Sequence, residues 1–348
     1  MSRSVSILCA AKLHKNQLER HLELFEFIPE VSEVLVVRRE PLGSRLDKLH
    51  DRGFQAGSLG VELLRMGHQV RSLCRHHAVD WVIGFNPVPW GSVALAAAKS
   101  SGVRSCLSLI GMDFLQIQRL WGWPFLQAVR SADAVTVTGE RMKTRLVELG
   151  VFPERLHVLP HSVDVARFSV TGEPKRWDVV ATGQLIRRKR LDVLIDAVAI
   201  LRERGQLVRV GILGRGPLEA ELKERAKQKH VDDLVEFLGF RNDVERVLQQ
   251  AQVFCLPSAW EGVPFALMEA MACGLVPVMT RVGTIEDWVR PGENGLLVEV
   301  GDAPGLAEAL CRALSPSGEQ LREQVLAERE GLSFSHGAAV WRTILELG

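Results

Sequence analysis

The sequence predicts an α/β protein built from two Rossmann-like domains, and two observations carry that reading. Short runs of β-branched and apolar residues alternate with helix-period segments from end to end, the pattern of a doubly wound parallel sheet. The chain's 348 residues also exceed one ordinary core and suit two of about 150 residues each. At 47% apolar and 24% charged residues the composition is that of a chain that folds throughout. The net charge of +1 creates no overall field to recruit nucleic acid or an anionic membrane, so the expected partner is small.

In the first half, residues 5–10, 34–37, 81–83, 106–110, 134–137 and 156–159 read as buried strands, with helical patterns such as 16–27, 92–100 and 139–149 between them. Residues 164–176 break that rhythm with Gly172, Pro174 and no apolar period. The first domain is therefore placed at 1–170 and the second at 175–335. Strands at 177–181, 208–213, 235–238, 253–256, 276–279 and 295–298 repeat the alternation in the second domain. A last helix, about 336–348, follows a complete domain and can pack back onto the first.

Cys9, Cys74, Cys106, Cys255, Cys273 and Cys311 form no CxxC pair and read as buried thiols. The first residues lack the long apolar region and cleavage site of a signal peptide, and no apolar run reaches the roughly 18 residues of a membrane span. The expected location is the cytoplasm, including the inner face of the membrane.

The segment from Leu256 to Met279 carries the chemistry. It reads strand, loop, helix, turn, strand, with Pro264 in the first helical turn and Gly274 just past a helix of about ten residues. The tight Glu261-Gly262 loop precedes the helix N-terminus, whose free N–H groups and positive dipole end suit a diphosphate. Glu261 and Glu269 stand where they can flank such a ligand.

A Glu, seven residues, then Glu-Ala-Met-Ala-Cys-Gly and a Pro-Val strand resembles the signature of retaining glycosyltransferase family four, the group 1 glycosyl transferases of GT-B fold. That resemblance implies two Rossmann-like domains facing each other across a cleft. It implies that Glu261 meets the donor sugar and Glu269 the nucleotide ribose, with Gly262 and the amides around Val263, Phe265 and Ala266 at the phosphates. Gly183-Gln-Leu-Ile-Arg-Arg-Lys189 resembles the family's strand–loop–helix with its diphosphate clamp, here Arg188 and Lys189. Gln184 stands where many members have Arg, and Arg190 where they have Gly, which leaves the clamp's register open by one residue. Gly214 and Gly216 resemble the glycine-rich strand end of the nucleotide pocket, and Phe240 and Arg241 the loop that meets the base. Residues 280–286 and 294–297 match the family's scaffold.

The first half matches more weakly. His161 and Ser162 replace the Asn-Gly of the family's crossover, and Ile110 stands at its usual His, ahead of Gly111 and Asp113. Asp113 reads equally as a helix cap. The loop after the first strand, where the family carries paired glycines, is basic instead. Its Lys12, His14 and Lys15 suit either an anionic acceptor or phosphate, or a charged solvated turn. Trp121, Trp123 and Phe125 read as packing or as a surface for a lipid-linked acceptor.

The implied activity is transfer of a sugar, with retention, from a nucleotide sugar, UDP ahead of GDP, to a hydroxyl of a glycan or lipid-linked acceptor in envelope or exopolysaccharide synthesis. No cofactor is implied. The chain holds no Asp-x-Asp triplet, which agrees with a site that uses no metal. A non-catalytic nucleotide-sugar-binding protein of the same fold is the alternative. A nicotinamide enzyme is disfavoured because residues 9–16 contain no glycine.

Overall fold

The computed structural model describes residues 4–13, 15–55, 57–85, 87–110, 122–159, 161–261 and 264–347. They divide into two compact units, Met1–Ser162 with Phe334–Gly348, and Val163–Ser333.

The first unit runs β1 (Val5–Ala10), α1 (Lys15–Leu22), β2 (Val31–Val37), β3 (Leu49–Asp51), α2 (Leu59–His76), β4 (Trp81–Phe85), α3 (Ser92–Lys99), β5 (Arg104–Ser108), α4 (Gly122–Ser131), β6 (Ala134–Val137), α5 (Glu140–Glu148) and β7 (Leu156–Val158). Every strand pairing is parallel, and the spatial order is β3-β2-β1-β4-β5-β6-β7. Central strands of a parallel sheet are covered on both faces, which is why β1 is apolar almost without interruption and wholly buried. The expected helix at 16–27 is two pieces, α1 and a 3-10 segment Glu23–Phe27.

The second unit runs β8 (Val179–Thr182), α6 (Leu191–Glu203), β9 (Val210–Leu213), α7 (Glu219–Gln228), β10 (Val235–Gly239), α8 (Val244–Gln249), β11 (Val253–Leu256), α9 (Phe265–Ala272), β12 (Val276–Thr280), β13 (Leu296–Val298), α10 (Ala303–Ala313) and α11 (Pro316–Ala327). Its parallel sheet has the order β10-β9-β8-β11-β12-β13. The chain thus winds outward from β8 in one direction, returns, and continues from β11 in the other. Loops that leave the carboxyl ends of β8 and β11 therefore meet at the point of reversal, where open α/β sheets bind ligands.

Two expectations are corrected here. The second unit begins at Val163, not in 170–175: Val163 bridges Ser333, donates to the Leu332 carbonyl at 2.8 Å, and is buried with Phe168 in the second core. Apolar anchoring at these two side chains outweighs the loop-like composition around Gly172. Helix α9 has eight residues instead of ten, because Pro264 is extended (φ −76°, ψ 130°) and caps the helix from outside. Gly274 does take the left-handed conformation, at φ +75°.

Helix α12 (Phe334–Leu345) belongs to the first unit. Phe27 stacks on Phe334 at 4.7 Å between ring centroids, and Phe25 meets the buried Trp341 at 5.0 Å. Arg342 pairs with Glu30 beside them. Four of the six thiols are buried, whereas Cys74 and Cys311 are half-exposed, a correction to the expectation for those two. Burial still pushes the Cys74 thiol up to about 11.

Candidate functional site

Three successive strand ends of the second unit close on glycines with positive φ: Gly183 after β8 (141°), Gly214 after β9 (132°) and Gly239 at the end of β10 (66°). The loops then lie on one another. Gly214 N donates to Gly239 O at 2.8 Å, Gly183 N to Leu213 O at 2.9 Å, and Leu185 N to Arg215 O at 3.1 Å. A Cβ at Gly214 would sit 1.8 Å from Gly183 O, and one at Gly216 would sit 2.4 Å from Leu185 O. Gly214 and Gly216 are therefore required by backbone contact between loops, and they set the position of the segment that carries the cations.

That segment turns through Arg187–Lys189 into α6. Arg190 caps the turn in the left-handed region, φ 48° and ψ 39°, and its guanidinium pairs with Asp192 at 3.1 Å. The left-handed geometry explains why glycine suits this position. Lys189 Nζ lies 2.5 Å from Glu261 Oε1, and the two side chains are only 12% and 6% exposed. Ser258 Oγ donates to the same carboxylate oxygen at 2.6 Å, while Thr280 Oγ1 donates to Ser258 O at 2.5 Å. Arg188 is exposed, its guanidinium over the Trp260 ring at 5.3 Å, and its carbonyl accepts from Ala259 N at 2.8 Å. The loops after β8 and β11 are thereby tied by one buried ion pair and one backbone bond.

Glu269 is buried in the body of α9, and Phe265 and Ala266 form its first turn, half-buried. Beside the ion pair, at the ends of β8, β9 and β10, lies a cavity of 530 Å³ walled by Thr182, Gly183, Gln184, Leu213, Gly214 and Arg215, with Phe240, Arg241 and Val244. Lys189, Glu261 and Glu269 are not in that wall; Gly183 joins the two, its Cβ position 3.0 Å from Lys189 Cε. Phe240 is 66% exposed at the cavity, and Arg241 is paired with Asp243 at 2.6 Å, which holds the Asp243 carboxyl below its usual range. Gly262 and Val263 lie outside the described residues.

In the first unit the expected residues scatter. Lys12 and Lys15 line a cavity of 340 Å³ at the carboxyl ends of β1 and β2. His161 is buried, its ring 4.8 Å from that of His21, and takes no part in that wall. Ile110 is packed into the core. His14, Gly111, Asp113 and Trp121 lie outside the described residues. Phe125 is a core side chain, while Trp123 is 73% exposed. Among the described residues no group of three or more His, Cys, Asp or Glu side chains could hold a metal ion, and no helix is long and apolar enough to cross a membrane.

The sequence alone gives Ser258, Trp260 and Thr280 no part in the site, Thr280 falling only within the scaffold match at 280–286. Ser258 lies three residues before Glu261, inside the diagnostic segment, so a polar residue at hydrogen-bond spacing from the acid was the available signal. Thr280 is separated from Ser258 by a helix and a strand, and no local pattern reveals it.

Known proteins resemble the chain over both halves. Residues 176–316 match the family model described as Glycosyl transferases group 1, and residues 29–167 match that of Glycosyltransferase Family 4. WcaL of Salmonella typhimurium, provisionally named a colanic acid biosynthesis glycosyltransferase, is 33% identical over 217 residues, 59% of this chain and 53% of its own. AmsK of Erwinia amylovora, an amylovoran biosynthesis glycosyltransferase, is 32% identical over 198 residues, 53% of this chain and 48% of its own. The chain spans about half the length of these curated relatives. Among solved structures, Anabaena Alr3699/HepE in complex with UDP superposes with a TM-score of 0.79 at 17% identity, covering 99% of this chain and 100% of that one. The lipopolysaccharide outer core galactosyltransferase WaaB superposes at 0.75, also at 17% identity, covering 99% of each chain.

Proposed function

We propose, from the premise that the chain belongs to the group 1, family 4 glycosyltransferases of GT-B fold, that it transfers a sugar from a nucleoside diphosphate sugar to an acceptor hydroxyl with retention of anomeric configuration. The observation that carries this reading is the buried Lys189–Glu261 pair at the reversal point of the second sheet, directly before the helix that holds Glu269. A cation held in place beside a helix N-terminus stabilises a departing diphosphate without reorganising at the moment of reaction. Lys189 and Arg188 supply that charge, Glu261 orients the donor sugar, and Glu269 accepts from the ribose. Ser258 fixes the Glu261 carboxylate. Phe240 offers an exposed ring to the nucleotide base. Deprotonation of the acceptor falls to the leaving phosphate, so the protein contributes position and charge more than a dedicated base.

UDP is the expected nucleotide, as in the HepE complex, and envelope or extracellular polysaccharide the expected product class, as the names of WcaL and AmsK suggest. The reaction takes place in the cytoplasm or at the membrane's inner face. It needs neither a metal ion nor a cofactor, since Arg188 and Lys189 meet the diphosphate. The test is incubation of purified protein with UDP- and GDP-sugars and candidate acceptors, with and without EDTA, the product's anomeric configuration being read by NMR. Retention in EDTA is the expected result. An inverted product, or activity lost in EDTA and restored by magnesium, overturns the mechanism, and binding without turnover or donor hydrolysis overturns the catalytic reading.

A further inference from the structure

We propose that the 340 Å³ cavity of the first unit binds the acceptor through an oxyanion, phosphate or carboxylate, with Arg38 as its central ligand; the assignment to the acceptor rests on the transferase reading above. The cavity lies where β1 and β2 end, with Trp90 contributed from beyond β4. In the order β3-β2-β1-β4 the chain reverses between β1 and β4, so this is the ligand-binding end of the first sheet by the same topological rule that places the donor site in the second. Its volume is that of a small-molecule site.

The wall holds four cations, Lys12, Lys15, Arg38 and Arg39, against two carboxylates, Glu40 and Glu62. Glu62 is buried and already engaged, 3.6 Å from Arg39 and accepting from Gly57 N at 3.3 Å. Arg38 is 8% exposed, and it follows β2 directly. Its Nη2 donates to Leu13 O at 3.3 Å, its Nη1 is buried with no acceptor, and no carboxylate pairs with it among the described residues. A buried guanidinium with one weak neutral partner is costly to fold unless something else supplies the counter-charge. An oxyanion in the cavity does so, and Arg's planar fork matches phosphate and carboxylate geometry. Lys12, over the Trp90 ring at 4.7 Å, and Lys15 add charge at the mouth.

The experiment is calorimetric titration of the full chain with inorganic phosphate, α-D-glucose 1-phosphate, D-glucuronate and D-glucose. The wild type is compared with Arg38→Lys, Arg38→Met and the exposed pair Lys12→Gln/Lys15→Gln, whose folding is checked by circular dichroism. The expected result is salt-sensitive binding of one or both charged sugars and none of glucose. Arg38→Met, or the exposed pair should Arg38→Met misfold, loses about tenfold or more in affinity, the scale of one charge-assisted hydrogen bond. Preference for glucose 1-phosphate identifies a phosphorylated acceptor and preference for glucuronate an acidic sugar. Equal affinity for glucose and its charged forms, or variants that bind like the wild type, overturns the proposal. UDP titrated into the same samples reports on the donor site separately: loss of UDP binding with anion binding intact strikes the transferase reading and leaves the anion site standing.

Discussion

Breaking the Lys189–Glu261 pair separates stability from catalysis. At 2.5 Å, with both groups nearly enclosed, the gross Coulomb attraction is about 7 kcal/mol at an effective dielectric constant of 20. Desolvation cancels much of this in the intact protein, but removing one partner strands a buried charge and costs about 3–5 kcal/mol. Lys189→Met or Glu261→Gln alone is therefore expected to lower the melting temperature of the second unit by roughly 6–20 °C, at about 2–4 °C per kcal/mol for a unit of this size. The double variant leaves no charge stranded and recovers most of that loss. Activity behaves differently: if Lys189 stabilises the leaving diphosphate, kcat/KM falls by about 10²–10³ in Lys189→Met and stays low in the double variant. The assays are differential scanning calorimetry and donor turnover on the same preparations. Single variants that melt within 2 °C of the wild type would refute the energetic argument, and a double variant that regains wild-type turnover would reduce the pair to a structural tie.

Glu269→Ala should weaken UDP binding by about 1.5–3 kcal/mol, the value of a hydrogen bond to a charged acceptor, and unchanged affinity in calorimetry would remove the ribose role. Gly214→Ala forces a Cβ to within 1.8 Å of Gly183 O, so it should destabilise the second unit by about 1–3 kcal/mol or more and weaken UDP binding as the β8 loop shifts; wild-type values for both would show that the loops yield freely. His21 is held well below the usual histidine range, first by burial and then by His161. Its folded pKa is depressed, so the unfolded chain binds the extra proton. The contribution is full above about pH 6.5 and is lost below it at up to about 1.4 kcal/mol per pH unit. His21→Phe should flatten the decline of stability from pH 6.5 to 5 in urea unfolding, and an unchanged slope counts against this assignment.

Both sheets were legible in the sequence because a buried parallel strand must be apolar on both faces, so runs such as 5–10, 134–137 and 253–256 announce themselves without reference to the rest of the chain. β3 escaped notice because Leu49-His-Asp51 is an edge strand, half-exposed and under no such constraint. The pattern around Glu261 and Glu269 was equally readable, since a loop, a helix start and a left-handed glycine are local features. The site's connections were not local. Lys189 and Glu261 stand 72 residues apart and meet because winding reverses between β8 and β11, which puts two loops side by side whatever their separation in the chain. Phe168 falls in the stretch 164–176 that lacks an apolar period, yet it is buried with Val163 in the core of the second unit. Nothing in the sequence singles out Arg38, which follows a strand, and tertiary structure buries it in the wall of a cavity with a nitrogen to spare. Charge and hydropathy along a chain report what a residue prefers; whether a cation meets its counter-charge depends on which strand ends the sheet order makes neighbours.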